Sequence, residues 1–175
     1  MIFWLFFFEQ MLFRPAHNAD IPAILVLIEA AVRRLAEQGV DQWQDGYPNR
    51  ACIEEDVATG AGYVIEEQGA VVAYGAVIFT GEEAYRTIDG AWLTEGTDYV
   101  VVHRVCVADA VVGQGFGRRF MEAAEALARD RVRSLRVDTC AENRVMGNLL
   151  PRLGFTRCGV IQIDGCDFIA YEKVL

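Results

Sequence analysis

The stretch that decides the fold runs from Val105 to Arg119 and reads VCVADAVVGQGFGRR. A run of β-type residues ends here, and a turn with glycines at alternate positions leads directly into an amphipathic helix. The first N–H groups of a helix have no partner within it, and the helix dipole is positive at that end. The turn therefore predicts a seat for a phosphate or diphosphate group.

Spacing separates this turn from two common phosphate-binding motifs. A P-loop requires Lys followed by Ser or Thr after its last glycine, where this chain has Arg118 and Arg119. A dinucleotide-binding turn requires a third glycine at a position that reads Arg118 or Phe120 here. A glycine-rich connector without a ligand stays open as the structural alternative.

The turn resembles that of a third family. Residues 112–117 are similar to the acetyl-coenzyme A (acetyl-CoA) turn of the GCN5-related N-acetyltransferases (GNAT), written R/Q-x-x-G-x-G/A. Both glycines are present, while Val112 replaces the Arg or Gln of the first position, which backbone N–H groups can serve. The resemblance implies that acetyl-CoA is held by Val112, Gly113, Gln114, Gly115, Phe116, Gly117 and Arg118.

Two further segments carry the same resemblance. Leu135–Cys140 reads as a strand, and Asn143 then opens a helix that closes in Leu153-Gly154-Phe155. Phe13–Pro22 is similar to the family's first strand and first helix entry, so the likeness covers residues 11–175. In relatives the Asn bonds the pantetheine arm, which implies the same role for Asn143. A plain helix N-cap is the alternative, because Asn is among the best N-cap residues.

The strand before the glycine turn, Tyr99–Val107, has the strongest β signal in the chain. The resemblance implies that the backbone of Val105, Cys106 and Val107 bonds the pantetheine amides of acetyl-CoA. It also implies that the Val107 N–H faces the thioester oxygen, where a donor stabilises the oxyanion that forms during acyl transfer.

A general base is needed because an acceptor amine starts as an ammonium with a pKa of roughly 10. Relatives often carry a Glu on this strand, but Tyr99–Val107 contains no acid. Histidine side chains have a reference pKa near 6.5, which suits proton acceptance, and we predict His103 as the base. A purely structural histidine, and a water chain to Asp98 or Glu95, remain alternatives.

The general acid of many relatives is a Tyr, and its position reads Leu150 here, followed by Pro151, which should disturb the helix. Cys140 or a water could replace it, although a thiol with a pKa of about 8.5 also leaves unaided. The missing Tyr and Glu keep open a second interpretation, a catalytically silent sensor or interaction module that binds acyl-CoA.

The loop Asp41–Pro48 carries two large aromatic residues, Trp43 and Tyr47. In the family this region covers the acceptor site, which implies that both residues line a substrate pocket. The alternative is that they only close the rim of the core.

Composition narrows the class of protein. A chain of 175 residues with 53% hydrophobic residues predicts a single folded domain, which we place at residues 11–175. The formal net charge of −9 argues against a nucleic-acid surface and mildly favours a cationic acceptor.

The cysteines and histidines argue against disulfides and metals. The five cysteines are odd in number and lack C-x-x-C spacing, and there are only two histidines. We therefore predict no bound metal and a reducing, cytoplasmic setting.

The first ten residues, MIFWLFFFEQ, form an apolar N-terminal extension. The apolar run is too short to span a bilayer, and it lacks the basic flank and cleavage site of a signal peptide. It could pack against a second subunit, which makes a homodimer one expectation.

The order of predicted elements favours an α/β sandwich around a mixed sheet, and the resemblance implies the GNAT type of this fold, an αβα sandwich. We expect a mixed central sheet of about six or seven strands with about four helices. Ala84–Trp92 reads as a strand or a loop, and a hairpin turn is predicted at Asp164-Gly165. The resemblance implies an enzyme that transfers acetyl from acetyl-CoA to a primary amine of a small molecule or peptide by direct attack.

Overall fold

The computed structural model describes residues 11–175, so the predicted extension at residues 1–10 lies outside the described residues. The described chain contains an eight-stranded sheet and four α-helices. The strands are β1 (Met11–Pro15), β2 (Gly62–Glu67), β3 (Ala70–Ile78), β4 (Asp89–Gly90), β5 (Tyr99–Val107), β6 (Ser134–Thr139), β7 (Thr156–Ile163) and β8 (Cys166–Val174). The helices are α1 (Ile21–Glu37), α2 (Arg50–Ala58), α3 (Phe116–Ala128) and α4 (Arg144–Arg152).

The sheet has the strand order β1-β2-β3-β5-β6-β8-β7-β4 and is mixed, as predicted. Only β5 and β6 run parallel, and the other neighbours are antiparallel. The strand count is slightly higher than the prediction because Ala84–Trp92 contributes β4. This two-residue strand pairs with β7 through Asp89 and Gly90 after a 3₁₀ turn, too short a pairing to leave a sequence pattern.

The helices cover both faces of the sheet, which confirms the three-layer prediction. On one face, α1 and α2 bury Ile24, Ile28 and Ile53 against β2 and β3. On the other face, α3 and α4 pack on the centre of the sheet through Phe120 and Leu150. Each helix therefore presents one apolar stripe to the sheet, as amphipathic helices of a layered domain do.

The start of α1 and the end of α4 each contain a residue that often marks a helix end. Pro22 lies in the first turn of α1, but the Asp20 carboxylate does not cap this helix. It accepts a hydrogen bond from the His17 N–H at 2.8 Å and pairs with Arg14 at 2.7 Å, since an ion pair to a guanidinium outcompetes a cap. Pro151 lies inside α4, which continues for one residue beyond it and ends at Arg152.

A β-bulge opens the middle of the sheet. The register between β3 and β5 shifts between Tyr74 and Ala76, and Arg104 opposite this point has a left-handed φ of 59°. Bulges bend a strand and increase its twist. Accordingly, β5 and β6 pair over only three residue pairs, Tyr99–Val101 with Ser134–Arg136. Beyond Val101 the two strands diverge and leave a cleft between them.

A buried carboxylate stabilises the end of the cleft at which β5 and β6 still pair. Glu172 of β8 is fully buried and accepts hydrogen bonds from the Ser134 hydroxyl at 2.6 Å and from Arg136 Nε at 3.0 Å. It also accepts from Thr94, so the segment before β5 is fixed to β6 and β8. Burial alone would raise the pKa of Glu172, but these donors lower it. The charged pair is therefore retained inside the fold.

Candidate functional site

The cleft between the diverging strands has a volume of about 1190 Å³ and is lined by both strands, by the glycine turn and by the loop before α2. We call residues 113–118 the glycine end. We call the group formed by His103, Glu82, Asp138 and the loop 41–47 the histidine end. The two ends are separated by the part of β5 from His103 to Val107, which spans about 13 Å at the usual rise per residue of a strand.

The glycine end is built from main chain. Gly113 and Gly115 have left-handed φ values of 79° and 83°, which explains why these positions require glycine. The Arg119 N–H donates to the Gly115 carbonyl at 2.9 Å and starts the helical ladder of α3. The N–H groups before it are the unpaired donors of a helix start, and they face a cleft. This end can bind an anion without any side chain.

Gly117 differs from the other two glycines in its helical φ, while a Cβ placed at any of the three would meet nothing within 4 Å. Glycine inside a helix costs about 1 kcal/mol relative to alanine. Nothing in the described fold offsets that cost. The open space beside Gly117 therefore fits a ligand that approaches the backbone closely.

The remaining residues predicted for this end differ in their placement. Val112 is half exposed and lines the cleft, as do Phe116 and Arg118. Arg118 also pairs with Glu122 at 2.8 Å on the exposed face of α3. Gln114 does not line the cleft, and its side-chain amide donates to the Ala110 carbonyl at 2.9 Å.

The cleft-facing edge of β5 follows from its pairing with β3. The Ala108 N–H bonds the Val72 carbonyl at 2.9 Å, so by strand alternation the N–H and C=O of Val107 point away from β3. The Val107 carbonyl accepts from Arg34 Nη2 at 2.8 Å. The backbone N–H and C=O of Cys106 point towards β3 instead, where Cys106 pairs with Tyr74. The Val107 N–H is thus on the cleft side, whereas the Cys106 amide is not. Val105 lies in the bulge and lines the cleft.

At the histidine end, the imidazole of His103 lies between two carboxylates. Its Nδ1 is 3.5 Å from Asp138 Oδ2, and its Nε2 is 3.5 Å from Glu82 Oε2. The Tyr85 hydroxyl donates to Asp138 at 2.7 Å, and burial raises the pKa of Tyr85 well above 10. The nearby imidazole lowers the pKa of Glu82. Nε2 of His103 is buried and has no hydrogen-bond partner among residues 11–175.

The bulge residue Arg104 is fixed by a buried ion pair. Its guanidinium donates to both carboxylate oxygens of Asp56 in α2, at 2.9 and 2.6 Å. It also donates to the Tyr47 hydroxyl at 2.6 Å, and the Tyr74 hydroxyl donates to Asp56. Bidentate pairs of this kind are among the strongest in proteins. The pair holds a non-glycine residue in a left-handed conformation and so fixes the shape of β5.

The loop 41–47 covers the cleft and brings in both predicted aromatic residues. Trp43 and Tyr47 line the cleft, and Trp43 also packs against the core beneath α1. The Asn143 side-chain amide donates to Gln42 Oε1 of this loop at 2.9 Å. Its oxygen accepts from the Met146 N–H at 3.2 Å and caps α4. Asn143 thus has the N-cap geometry, while its role toward pantetheine stays a prediction.

The candidates for proton transfer also have definite places. Leu150 is fully buried in the core beneath α4. Cys140 lines the cleft, and its pKa is raised to about 11, first by burial and then by the charges of Glu142 and Asp138. Asp98 and Glu95 do not line the cleft.

Sequence reasoning missed Glu82, Tyr85, Asp138 and the pair Asp56–Arg104. One signal was present for Asp138. It lies near the carboxyl end of β6, which runs parallel to β5, and ligands bind beyond the carboxyl ends of adjacent parallel strands. No local signal marked the others.

Residues 11–175 contain no helix long and apolar enough to cross a membrane. Within the same residues, no group of three or more His, Cys, Asp or Glu side chains is arranged to hold a metal ion.

Comparison with known proteins gives a consistent result. Residues 27–155 match the family model described as acetyltransferase (GNAT) family. The chain is 35% identical to a GNAT-family acetyltransferase structure from Streptococcus agalactiae 2603, with a TM-score of 0.88 over 96% of this chain and 98% of that one. A GNAT-family structure from Listeria monocytogenes 4b F2365 is 25% identical, with a TM-score of 0.76 over 94% and 95%.

A third structure was solved with a ligand. The yncA protein of Salmonella typhimurium, solved with its cofactor acetyl-CoA, is 25% identical, with a TM-score of 0.63 over 94% of both chains. No curated protein matches the chain.

Proposed function

Since the chain belongs to the GNAT family of acetyltransferases, we propose that it transfers acetyl from acetyl-CoA to a primary amine of a small molecule or peptide. The family uses acetyl-CoA, and the fold places a glycine turn at one end of the cleft and a titratable group at the other. The observation that carries the proposal is Gly117, a glycine in the first turn of α3 with open space beside it.

The residues present fit the cofactor. The unpaired N–H groups of residues 115–118 would hold the diphosphate, with Arg118 adding charge. The Val107 N–H, which points into the cleft, would donate to the thioester oxygen. Acetyl-CoA supplies a thioester whose carbonyl carbon a neutral amine can attack. Val105, Gly113 and Phe116 complete the wall beside it. No metal is required for this chemistry.

His103 is the proposed base. It takes one proton from the acceptor ammonium, and the neutral amine then forms the N–C bond while the C–S bond breaks. Asp138 and Glu82, each 3.5 Å from one ring nitrogen, position the imidazole and compensate its positive charge. The nitrogen loses a second proton when the amide forms. That proton is matched by the one that the departing thiolate takes up, so the products are the amide and a free thiol.

A dedicated acid is not needed. Leu150 cannot donate a proton, and Cys140 has a pKa of about 11, which is above the roughly 8.5 of an ordinary thiol. Proton transfer from Cys140 to a departing thiolate would run uphill. The thiolate can instead leave unaided and take up its proton from the solvent after it has departed.

The competing function is a silent sensor that binds acyl-CoA without turnover. Its support is the buried Leu150 in place of the family's Tyr. Thermal stabilisation by acetyl-CoA, with no thiol release in the presence of a broad panel of primary amines, would favour the sensor.

The cofactor assignment is tested with Gly117→Asp. The carboxylate enters open space at the glycine end, so we expect folding to be preserved and acetyl-CoA affinity to fall by at least about 100-fold through repulsion of the phosphates. Gly147→Asp is the matched control, because Gly147 of α4 is also unobstructed but does not line the cleft. Calorimetry measures both, and equal affinities in the two variants would refute the assignment.

The setting and assembly remain proposals from the sequence. A reducing, cytoplasmic setting is inferred from the sequence, whose five cysteines are odd in number and lack C-x-x-C spacing. A homodimer that uses residues 1–10 is tested by light scattering on the full chain and on a chain that begins at Met11.

A further inference from the structure

We infer that the acceptor is an aliphatic amine that carries a second cationic group and no carboxylate. The inference rests on the proposed N-acetyl transfer and names the class of amine that this cleft selects. It comes from the charges that face the cleft, from the polar atoms left without a partner there, and from the aromatic residues of the covering loop.

Negative charge dominates the histidine end. Five carboxylates line the cleft: Asp41, Asp45, Glu82, Asp138 and Asp164. Four arginines also line the cleft, but three of them form ion pairs with acids that lie outside the cleft. These pairs are Arg34 with Asp109, Arg104 with Asp56, and Arg118 with Glu122. The fourth, Arg152, belongs to α4 on the face of the sheet opposite His103.

Three of these acids lie close together, because Glu82 and Asp138 flank His103 and Asp41 acts on Cys140 together with Asp138. The charges of Asp138 and Asp41 both act on Cys140 and contribute to its raised pKa. Asp138 also acts on Tyr47. Carboxylates that no arginine neutralises concentrate ligands of the opposite charge beside them. An acceptor with a carboxylate would find no free arginine at this end and would be repelled by the acids around His103.

A second observation distinguishes this cluster from a solvated acidic surface. Among residues 11–175, two buried side-chain polar atoms have no hydrogen-bond partner, Nε2 of His103 and Oγ1 of Thr139. Both residues line this cleft, and Thr139 is only 2% exposed. Nε2 of His103 has one long approach, 3.5 Å from Glu82, whereas Oγ1 of Thr139 has no polar partner at all in the described part of the chain. Buried polar groups are normally satisfied, so the Thr139 hydroxyl indicates a ligand that completes it.

Aromatic side chains provide the surface for an aliphatic chain. Trp43, Tyr47 and Phe168 line the cleft beside these acids. An alkyl spacer can pack on such rings, and a cation near them gains further attraction. The reacting amine would then lie near His103, and the second cation would lie toward Asp41 and Asp164 at the rim.

The test compares three acceptors of equal chain length. Cadaverine, pentylamine and aminovalerate carry an ammonium, no charge and a carboxylate at the far end. We expect kcat/KM to fall in that order by about tenfold at each step, the size of one partly screened charge interaction. The preference for cadaverine should narrow as salt is added, because salt screens the rim carboxylates.

The matched variants place the effect in the cleft. The double variant Asp41→Asn with Asp164→Asn should bring the ratio of cadaverine to pentylamine toward one. Both residues are exposed, and asparagine tolerates the left-handed turn at position 164. Asp130→Asn also removes an exposed acid, but outside the cleft, and should leave the ratio unchanged.

The outcomes separate the inference from the proposed function. Turnover of pentylamine or aminovalerate at least equal to that of cadaverine would overturn the inference and leave N-acetyl transfer standing. Thermal stabilisation by acetyl-CoA without thiol release with any primary amine would overturn both.

Discussion

The two ends of the cleft differ in the groups that they offer to a ligand. The glycine end consists of six consecutive residues, 113–118, and offers backbone N–H groups. The histidine end draws Tyr47, Glu82, His103 and Asp138 from separate segments, and its chemistry lies in side chains. A phosphate site can be written in a short stretch of sequence because the helix start supplies its donors. A site that moves protons must be assembled by the fold.

This contrast has a consequence for mutation. Changes at Gly117 should affect cofactor affinity with little effect on stability, because a side chain there enters open space, whereas side chains at Gly113 and Gly115 would strain a left-handed backbone. Changes at the histidine end should affect stability, turnover or pH dependence, because its side chains are partly buried and paired. The following expectations are ordered from the largest effect to the smallest.

Arg104→Ala should cost about 3–5 kcal/mol of unfolding free energy, because it leaves the buried Asp56 carboxylate unpaired. Arg104→Gly should be about 1 kcal/mol less destabilising, since glycine accepts the left-handed φ of 59° without strain. Arg50→Ala, which breaks an exposed pair with Glu54, is the control and should cost less than about 1 kcal/mol. Urea titration measures all three, and equal losses for the Ala and Gly variants would contradict the bulge geometry.

His103→Gln should lower kcat by about 10²–10⁴-fold, the usual contribution of a general base, and leave acetyl-CoA affinity within about twofold. The control is His17→Gln, which changes the other, exposed histidine outside the cleft. Steady-state kinetics and calorimetry separate the two quantities. Turnover at the wild-type rate across pH would remove His103 as the base.

Asn143→Ala should cost about 1 kcal/mol, because it removes the cap of α4. Asn49→Ala removes the equivalent cap of α2, away from the cleft, and should cost about the same. Thermal unfolding measures both losses. A fall in acetyl-CoA affinity in the Asn143 variant alone would favour its predicted role toward pantetheine over a purely structural one.

Glu82→Gln should have the smallest effect and a defined pH dependence. Because His103 lowers the pKa of Glu82 below its ordinary 4.5, the ionised carboxylate stabilises the fold above that pH, and the contribution is lost as the pH falls through the lower folded value. The stability difference from wild type should therefore be present at neutral pH and vanish in acid. The difference for Gly117→Ala involves no titrating group and should not depend on pH.

What the sequence could predict follows the same division. The bounds of β5, the mouth of α3 and the turn at Asp164-Gly165 were predictable, because alternation and glycine positions are local. The bulge was not, since Arg104 carries no sign of a left-handed conformation that only a distant carboxylate stabilises.

Side-chain partnerships were equally out of reach. His103 was identifiable as a titratable residue on a strand, but its neighbour Glu82 follows β3 and its neighbour Asp138 lies in β6. The side chain of Asn143 was predicted either to bind the cofactor or to cap its own helix. Its NH2 group donates to Gln42 of the covering loop, a partner that was not predicted. Such pairs depend on register and topology, which a single sequence does not state.

The buried contact of Glu172 with Ser134 and Arg136 anchors the point from which β5 and β6 separate. Because that apex is rigid, the wedge between the strands exists before any ligand arrives. Binding does not have to separate the two strands, because they are already apart in the folded protein. Association with the acyl donor can therefore proceed with little loss of backbone entropy.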